Sequence, residues 1–213
     1  MKVYISSVEN LFTNRAYSHM LAKVCEKRQR KAQKLVKLES RVLCVYAELL
    51  LQSVYPQKTF NGFEYDKYGK PYITGGVPFS ISHSGNFVAA AVTQAGCVGV
   101  DIQLVGDINE RIFEKVLSDG EKEFLSTVKD RRDAFFKLWV LKEAAVKAIG
   151  MGFKLSPKNI ECADASGIKK FIVYNGKKLY LTLFEPNEDY KLAVCGEQPA
   201  DGYEIIPNEY VIK

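Results

Sequence analysis

Two short stretches of the chain carry residues able to do chemistry, "VGVDIQ" (98–103) and "FFKLWVLKEAAVKAIGMG" (135–152). In a strand, alternate side chains share a face, so Asp101 and Gln103 point one way while Val100 and Ile102 point the other. An aspartate in so apolar a strand is either a strand-end residue accepting turn N–H groups or a buried charge that needs a cation or donors. In a helix, Trp139, Glu143 and Lys147 are spaced four apart and stack on one stripe. On an open surface such a Glu–Lys pair contributes only ~0.3–0.5 kcal/mol. The flanking run of Phe135, Phe136, Leu138, Val140, Leu141, Ala144, Ala145 and Ala148 leaves little polar face, so Glu143 and Lys147 are expected to look into a cleft. Asp101 and Glu143, from separate elements, would form an oxygen site of the kind Mg²⁺ uses. Magnesium keeps several waters and takes its remaining ligands from substrate phosphates.

The stretch "SISHSG" holds His83, one of only two histidines. Small neighbours, Ser82, Ser84 and Gly85, suit a close approach to a ligand, although a lone histidine is more often structural. A Ser–His hydrolase is rejected: there is no G-x-S-x-G elbow, and adjacent residues of a strand face opposite ways. The basic excess is local. Residues 23–41, "KVCEKRQRKAQKLVKLESR", contain eight Lys/Arg and two Asp/Glu, a local +6 against +5 for the whole chain. The stretch is read as a solvated helix face or as the site of an anionic partner. It lacks the interleaved aromatics and docking motif that nucleic-acid binding predicts. Five cysteines, none at C-x-x-C spacing, support neither a disulfide framework nor a zinc site and suggest reduced thiols. No apolar run reaches the ~20 residues of a membrane span, and "MKVYISSVENLF" lacks the apolar stretch of a leader. A cytoplasmic protein is expected.

These residues need elements to hold them. A first strand is predicted at Val3–Ile5, helices from about 14 to 54 with a break near 35–38, and Gly/Pro-rich loop over 65–78. A strand pair follows, turning at Gly85-Asn86, then the strand 97–103. The spacing predicts a helix over Asn109–Leu117, a capping box at Ser118–Glu121, and a long helix over Arg131–Ile149 ended by Gly150. Strands are predicted at "KKFIVY", "KLYLTLF" and "YKLAVCG", and a weaker one at "YEIIP". The similarity of "NFVAAAV" (86–92) to "DYKLAVC" (189–195) suggests an α+β protein built as a duplicated pair.

Taken in order, "YGKPY" (68–72), "FSISHSG" (79–85), "VGVDIQ" and the W-x-x-K-E-A helix resemble the surfactin-synthetase-activating type of 4′-phosphopantetheinyl transferase, of the W/KEA subtype. The resemblance implies an α+β monomer of two similar halves in a pseudo-two-fold arrangement, residues 1–103 and 104–213, with the active site between them. It implies transfer of the phosphopantetheine arm of coenzyme A to a serine of an apo acyl or peptidyl carrier protein, without nucleic acid or membrane. By position, Asp101 and Glu143 look like Mg²⁺ ligands, and Lys147 like the group beside the leaving phosphate. Ser82, His83 and Lys70 look like coenzyme A contacts, as do Lys27, Arg30 and Arg41 for its nucleotide end. Many relatives have a second acid where this chain has Gln103. Gln103 would ligate Mg²⁺ through its carbonyl or hold a metal-bound water, and the base would be Glu143 or metal-bound water. An inactive relative that only binds coenzyme A or a carrier is the alternative that Gln103 leaves open.

Overall fold

The computed structural model describes residues 1–56 and 62–212. Strand β1 (Lys2–Ser7) is followed by helices α1 (Asn14–Leu21), α2 (Glu26–Gln33) and α3 (Leu38–Val54). A break precedes α2 as well as α3, because the Glu48 carboxylate draws the Cys25 N–H out of any continuing helix at 2.7 Å. Strands β2 (Glu64–Tyr65) and β3 (Pro71–Tyr72) form a small ribbon in the predicted loop. The hairpin β4 (Phe79–Ser84) and β5 (Phe87–Val92) turns at Gly85-Asn86, with Gly85 at φ +53°. Next come β6 (Val98–Leu104), α4 (Phe113–Val116), α5 (Asp119–Thr127) and α6 (Arg131–Ile149). The capping box at Ser118 and the α6 bounds fall where the sequence puts them, and Gly150 closes α6 at φ +79°. Short strands β7 (Ala163–Asp164) and β8 (Gly167–Ile168) precede β9 (Phe171–Tyr174), β10 (Lys177–Asn187), β11 (Tyr190–Gly196), β12 (Glu204–Ile205) and a last turn, α7 (Asn208–Val211).

The fold is α+β, in four layers. One sheet has the order β12-β1-β5-β4, the other β6-β11-β10-β9. Period-two alternation sorts the side chains. Val88, Ala90 and Val92 join the α3 core, whereas Ala89 and Ala91 meet Val98, Val100, Ile102, Leu192 and Val194 between the sheets. On the outer face of the second sheet, Ala193 and Cys195 pack under α6. Strands covered on both faces therefore read as unbroken apolar runs. The unit strand–helix–strand–strand occurs twice, as β1-α3-β4-β5 and β6-α6-β10-β11. In each, the third strand pairs antiparallel between the other two. The echo of 86–92 in 189–195 thus falls on equivalent central strands, β5 and β11. The expected division at 103/104 is not where pairing divides the chain: β6 belongs to the second sheet, while β12 returns to the first as a parallel partner of β1.

Lys142, inside the W-x-x-K-E-A stretch, is fully buried and paired with the fully buried Glu121. It also donates to the Ile160 carbonyl. Glu121 meanwhile accepts from the Ser118 and Cys162 N–H groups at 2.8 and 2.7 Å. One carboxylate thereby caps α5, anchors α6 and fixes the chain after Ile160. Lys142→Ala is expected to cost ~3–5 kcal/mol in denaturant unfolding, because it strands the Glu121 charge. Lys142→Met combined with Glu121→Gln should recover most of that loss.

Candidate functional site

The site begins at the seam between the sheets. Among the described residues β6 is the outermost strand of its sheet, and one edge of its backbone has no ladder partner there. β4 supplies substitutes. Its alternate serines share a face: Ser80 Oγ accepts the Val100 N–H at 3.1 Å, and Ser84 Oγ accepts the Leu104 N–H at 3.0 Å. Between them, Ser82 Oγ lies 2.7 Å from Asp101 Oδ1. The opposite face of β4 sends His83 toward α2 and α3.

Three devices seat α6 over this seam. Gly99 lets the helix backbone touch β6; a Cβ there would lie 2.0 Å from the Ala144 carbonyl oxygen. At the start of α6, Asp133 and Glu185 alternate with Lys137 and Lys191 in a closed square of ion pairs, at 2.5 to 2.9 Å, that ties the helix to β10 and β11. At its end, the Lys70 ammonium sits on the carbonyls of Lys147, Ala148 and Val98, at 2.6, 3.4 and 3.2 Å. That is the negative end of the helix dipole, and burial holds the Lys70 pKa below its ordinary value.

Lys147 is thereby brought to Asp101, with Nζ 2.6 Å from Oδ1. Its other bonds go to Ser82 Oγ at 2.9 Å and the Val100 carbonyl at 3.1 Å. Asp101 is 2 % exposed. Burial, and then the negative charge of Asp101, push the Glu143 carboxyl above the usual range, with Lys147 offsetting part of the rise. Gln103 turns its amide N–H, not its carbonyl, to Asp101 Oδ2 at 3.1 Å. The donor chemistry fits a hard divalent cation, since two carboxylates face one cleft and the mutual repulsion raising Glu143 would be relieved by positive charge. Among the described residues no three His, Cys, Asp or Glu side chains group as a cage. Such a cation would therefore draw its other ligands from water or substrate oxygens.

These groups line one end of a cleft of about 780 Å³ whose other end holds Arg28, Lys31 and Tyr65. Arg28 is buried, with Nε 3.3 Å from Glu48 Oε2 and its guanidinium 4.6 Å over the Phe63 ring. Among the described residues its Nη2 and the Tyr65 hydroxyl are buried without a hydrogen-bond partner, an arrangement that an anionic ligand would satisfy. Desolvation, with Arg28 adding to it, lowers the Lys31 pKa. His83 sits between the two ends, accessible to the cleft but crowded by it. Burial and the charges of Lys147, Arg28 and Lys31 push its pKa down to about 4, so the imidazole is neutral at pH 7.

The structure brings together Asp101, Gln103, Glu143, Lys147, Ser82, His83 and Lys70 on this cleft. It does not bring Lys27, Arg30 or Arg41 there. Lys27 pairs with Glu64 on the surface at 2.8 Å, Arg30 pairs with Glu26 one turn away, and Arg41 donates to the Leu35 carbonyl at 2.7 Å. Arg28 and Lys31 take the cleft positions instead. The signal for Arg28 was in the sequence: Arg28 and Ala32, spaced four apart, mark the inward face of a helix whose other positions are polar.

A model of the 4′-phosphopantetheinyl transferase superfamily matches residues 97–195. The 4′-phosphopantetheinyl transferase gsp of Aneurinibacillus migulanus is 28% identical over 198 residues, 88% of this chain and 82% of that one. The 4′-phosphopantetheinyl transferase ffp of Bacillus subtilis is 26% identical over 210 residues, 93% of each. A solved holo-[acyl-carrier-protein] synthase from Neisseria meningitidis aligns with 48% of this chain and 98% of its own, at TM-score 0.40 and 22% identity.

Glu143 has a stability signature. Its pKa is raised in the fold, so its ionised form is disfavoured there. That cost is fully present above the folded pKa and vanishes as pH falls below the unfolded value. Glu143→Gln is therefore expected to leave the melting temperature unchanged or raise it by ~2–4 °C at pH 8 if the relief is about 1 kcal/mol. The gain should fade toward pH 4 in thermal denaturation scans.

Proposed function

We propose that this chain is a 4′-phosphopantetheinyl transferase, as its family match and its relatives support, and that it moves the 4′-phosphopantetheine arm of coenzyme A onto a serine of an apo acyl or peptidyl carrier protein, with Mg²⁺, releasing 3′,5′-ADP. The observation that carries this reading is the polarity of one cleft. Asp101, Glu143 and Lys147 stand at one end, and Arg28 and Lys31 at the other. Coenzyme A presents a pyrophosphate and a separate 3′-phosphate, a charge pattern that calls for both ends at once. The cleft volume lies within the usual range for an organic co-substrate.

In the reaction the serine oxygen bonds to the phosphorus bearing pantetheine. The bond from that phosphorus to the bridging oxygen breaks, and 3′,5′-ADP leaves. Glu143, a carboxylate on the cleft beside Lys147, takes the serine proton. Lys147 supplies positive charge to the leaving phosphate; a phosphate oxygen replaces Asp101 Oδ1 in its set of acceptors, so no new desolvation is needed. Mg²⁺, held by Asp101 and Glu143, supplies charge neutralisation at the pyrophosphate when bound. Neutral His83 offers a hydrogen bond without adding charge, and Arg28 and Lys31 hold the nucleotide end. In this reading Ser82 and Lys70 serve the site chiefly by holding Lys147, Asp101 and the end of α6. The reading extends to a monomer acting in the cytoplasm; all five cysteines are unpaired.

Incubation with coenzyme A, Mg²⁺ and a panel of apo carrier proteins should add one phosphopantetheine mass to a carrier. A panel without any mass gain would remove the proposal. Glu143→Gln should abolish transfer while leaving the fold intact. Lys31→Gln should raise KM for coenzyme A about 3–10-fold through loss of a charge-assisted contact. Lys27→Gln and Arg30→Gln should stay within about twofold, because their charges are spent on surface pairs.

A further inference from the structure

Ser84 is not among the residues that face substrate, yet its single hydroxyl proton decides how the site is wired. Its oxygen accepts the Leu104 N–H at 3.0 Å, a group that can only donate. The hydroxyl proton is therefore left for a different acceptor, and the neighbour at 3.3 Å is Gln103 Oε1. With its carbonyl oxygen engaged there, Gln103 must present its NH₂ to its other neighbour. That neighbour is Asp101 Oδ2, at 3.1 Å. The other Asp101 oxygen, Oδ1, takes Lys147 at 2.6 Å and Ser82 at 2.7 Å. The two ends of the chain are fixed, Leu104 N–H as a donor and the Asp101 carboxylate as an acceptor, and between them Ser84 gives its proton to Gln103 Oε1 while Gln103 gives an N–H to Asp101.

We infer that Ser84 is a positioning residue, which locks the Gln103 amide so that Gln103 orients the Asp101 carboxylate as a hydrogen-bond donor instead of offering its own oxygen to a cation. This deepens the transferase reading and rests on it for its kinetic consequences. An amide free to turn over would set oxygen against oxygen at Asp101, and the carboxylate would rotate away from Lys147. Gln103 thus fills the place of an acid by holding a carboxylate in line.

The first test needs no turnover. In the ¹⁵N spectrum of the metal-free protein, the Gln103 side-chain amide pair is identified by its loss in Gln103→Met. It is expected away from the free-glutamine position, moved toward that position by Ser84→Ala and restored by Ser84→Thr, which keeps a hydroxyl. A wild-type pair already at the free position, or one unmoved by Ser84→Ala, overturns the inference whether or not any carrier is modified. The second test is a double-mutant cycle on transfer. Ser84→Ala and Gln103→Met should each lower kcat about 3–10-fold, with KM for coenzyme A within about twofold, and the double variant should fall no more than about twofold below the weaker single. Losses that multiply to about 10–100-fold would show that the two residues act separately and would also overturn it.

Discussion

The open edge of β6 is the constraint on which the rest depends. A strand at the end of a sheet leaves backbone groups unpaired, and here that edge lies against another sheet rather than water. Two serines of β4, Ser80 and Ser84, satisfy its N–H groups through their side chains, and Ser82 between them bonds the Asp101 carboxylate. A hydroxyl both accepts and donates, so the serines stitch the seam and still leave protons for Asp101 and Gln103. Apolar residues at those positions would strand the Val100 and Leu104 N–H groups in a buried seam, and larger ones would force the sheets apart. The Asp101 carboxylate is therefore fixed by the same contacts that join the two sheets.

α6 carries two lysine–acid systems with different purposes. Lys142 and Glu121 are wholly buried, paired to each other and to backbone, and serve the fold. Glu143, the next residue, points to the cleft, where burial and Asp101 raise its pKa. The first system is fully satisfied, while the second is held in a state that a bound cation or substrate would relieve. A helix this apolar tolerates both only because Gly99, the Lys137–Lys191 square and Lys70 hold it against β6 at separate points along its length.

Much of this was legible in the residues. Period-two alternation placed Asp101 beside Gln103, and the four-residue spacing placed Glu143 beside Lys147. Capping and glycine rules set the limits of α6 and α5. The echo of 86–92 in 189–195 marked the duplicated strands. The inward face of α2 was legible too, in Arg28 and Ala32, although the basic stretch as a whole drew attention to Lys27, Arg30 and Arg41.

What the sequence by itself determined was therefore local: which residues share a face, where helices start and stop, and which carboxylates and amines stand side by side. Tertiary structure alone decided which of those faces meet. It placed β6 in the second sheet, because the outer faces of Ala193 and Cys195 and the gap at Gly99 accept α6, and β11 offers a ladder over the whole strand. It turned Lys70 onto carbonyls at the end of α6, and Gln103 toward Asp101 through Ser84. Such contacts join residues 19 to 78 positions apart. Their partners are backbone groups or ordinary serines, and a spacing rule cannot single those out, because every strand and helix end carries them.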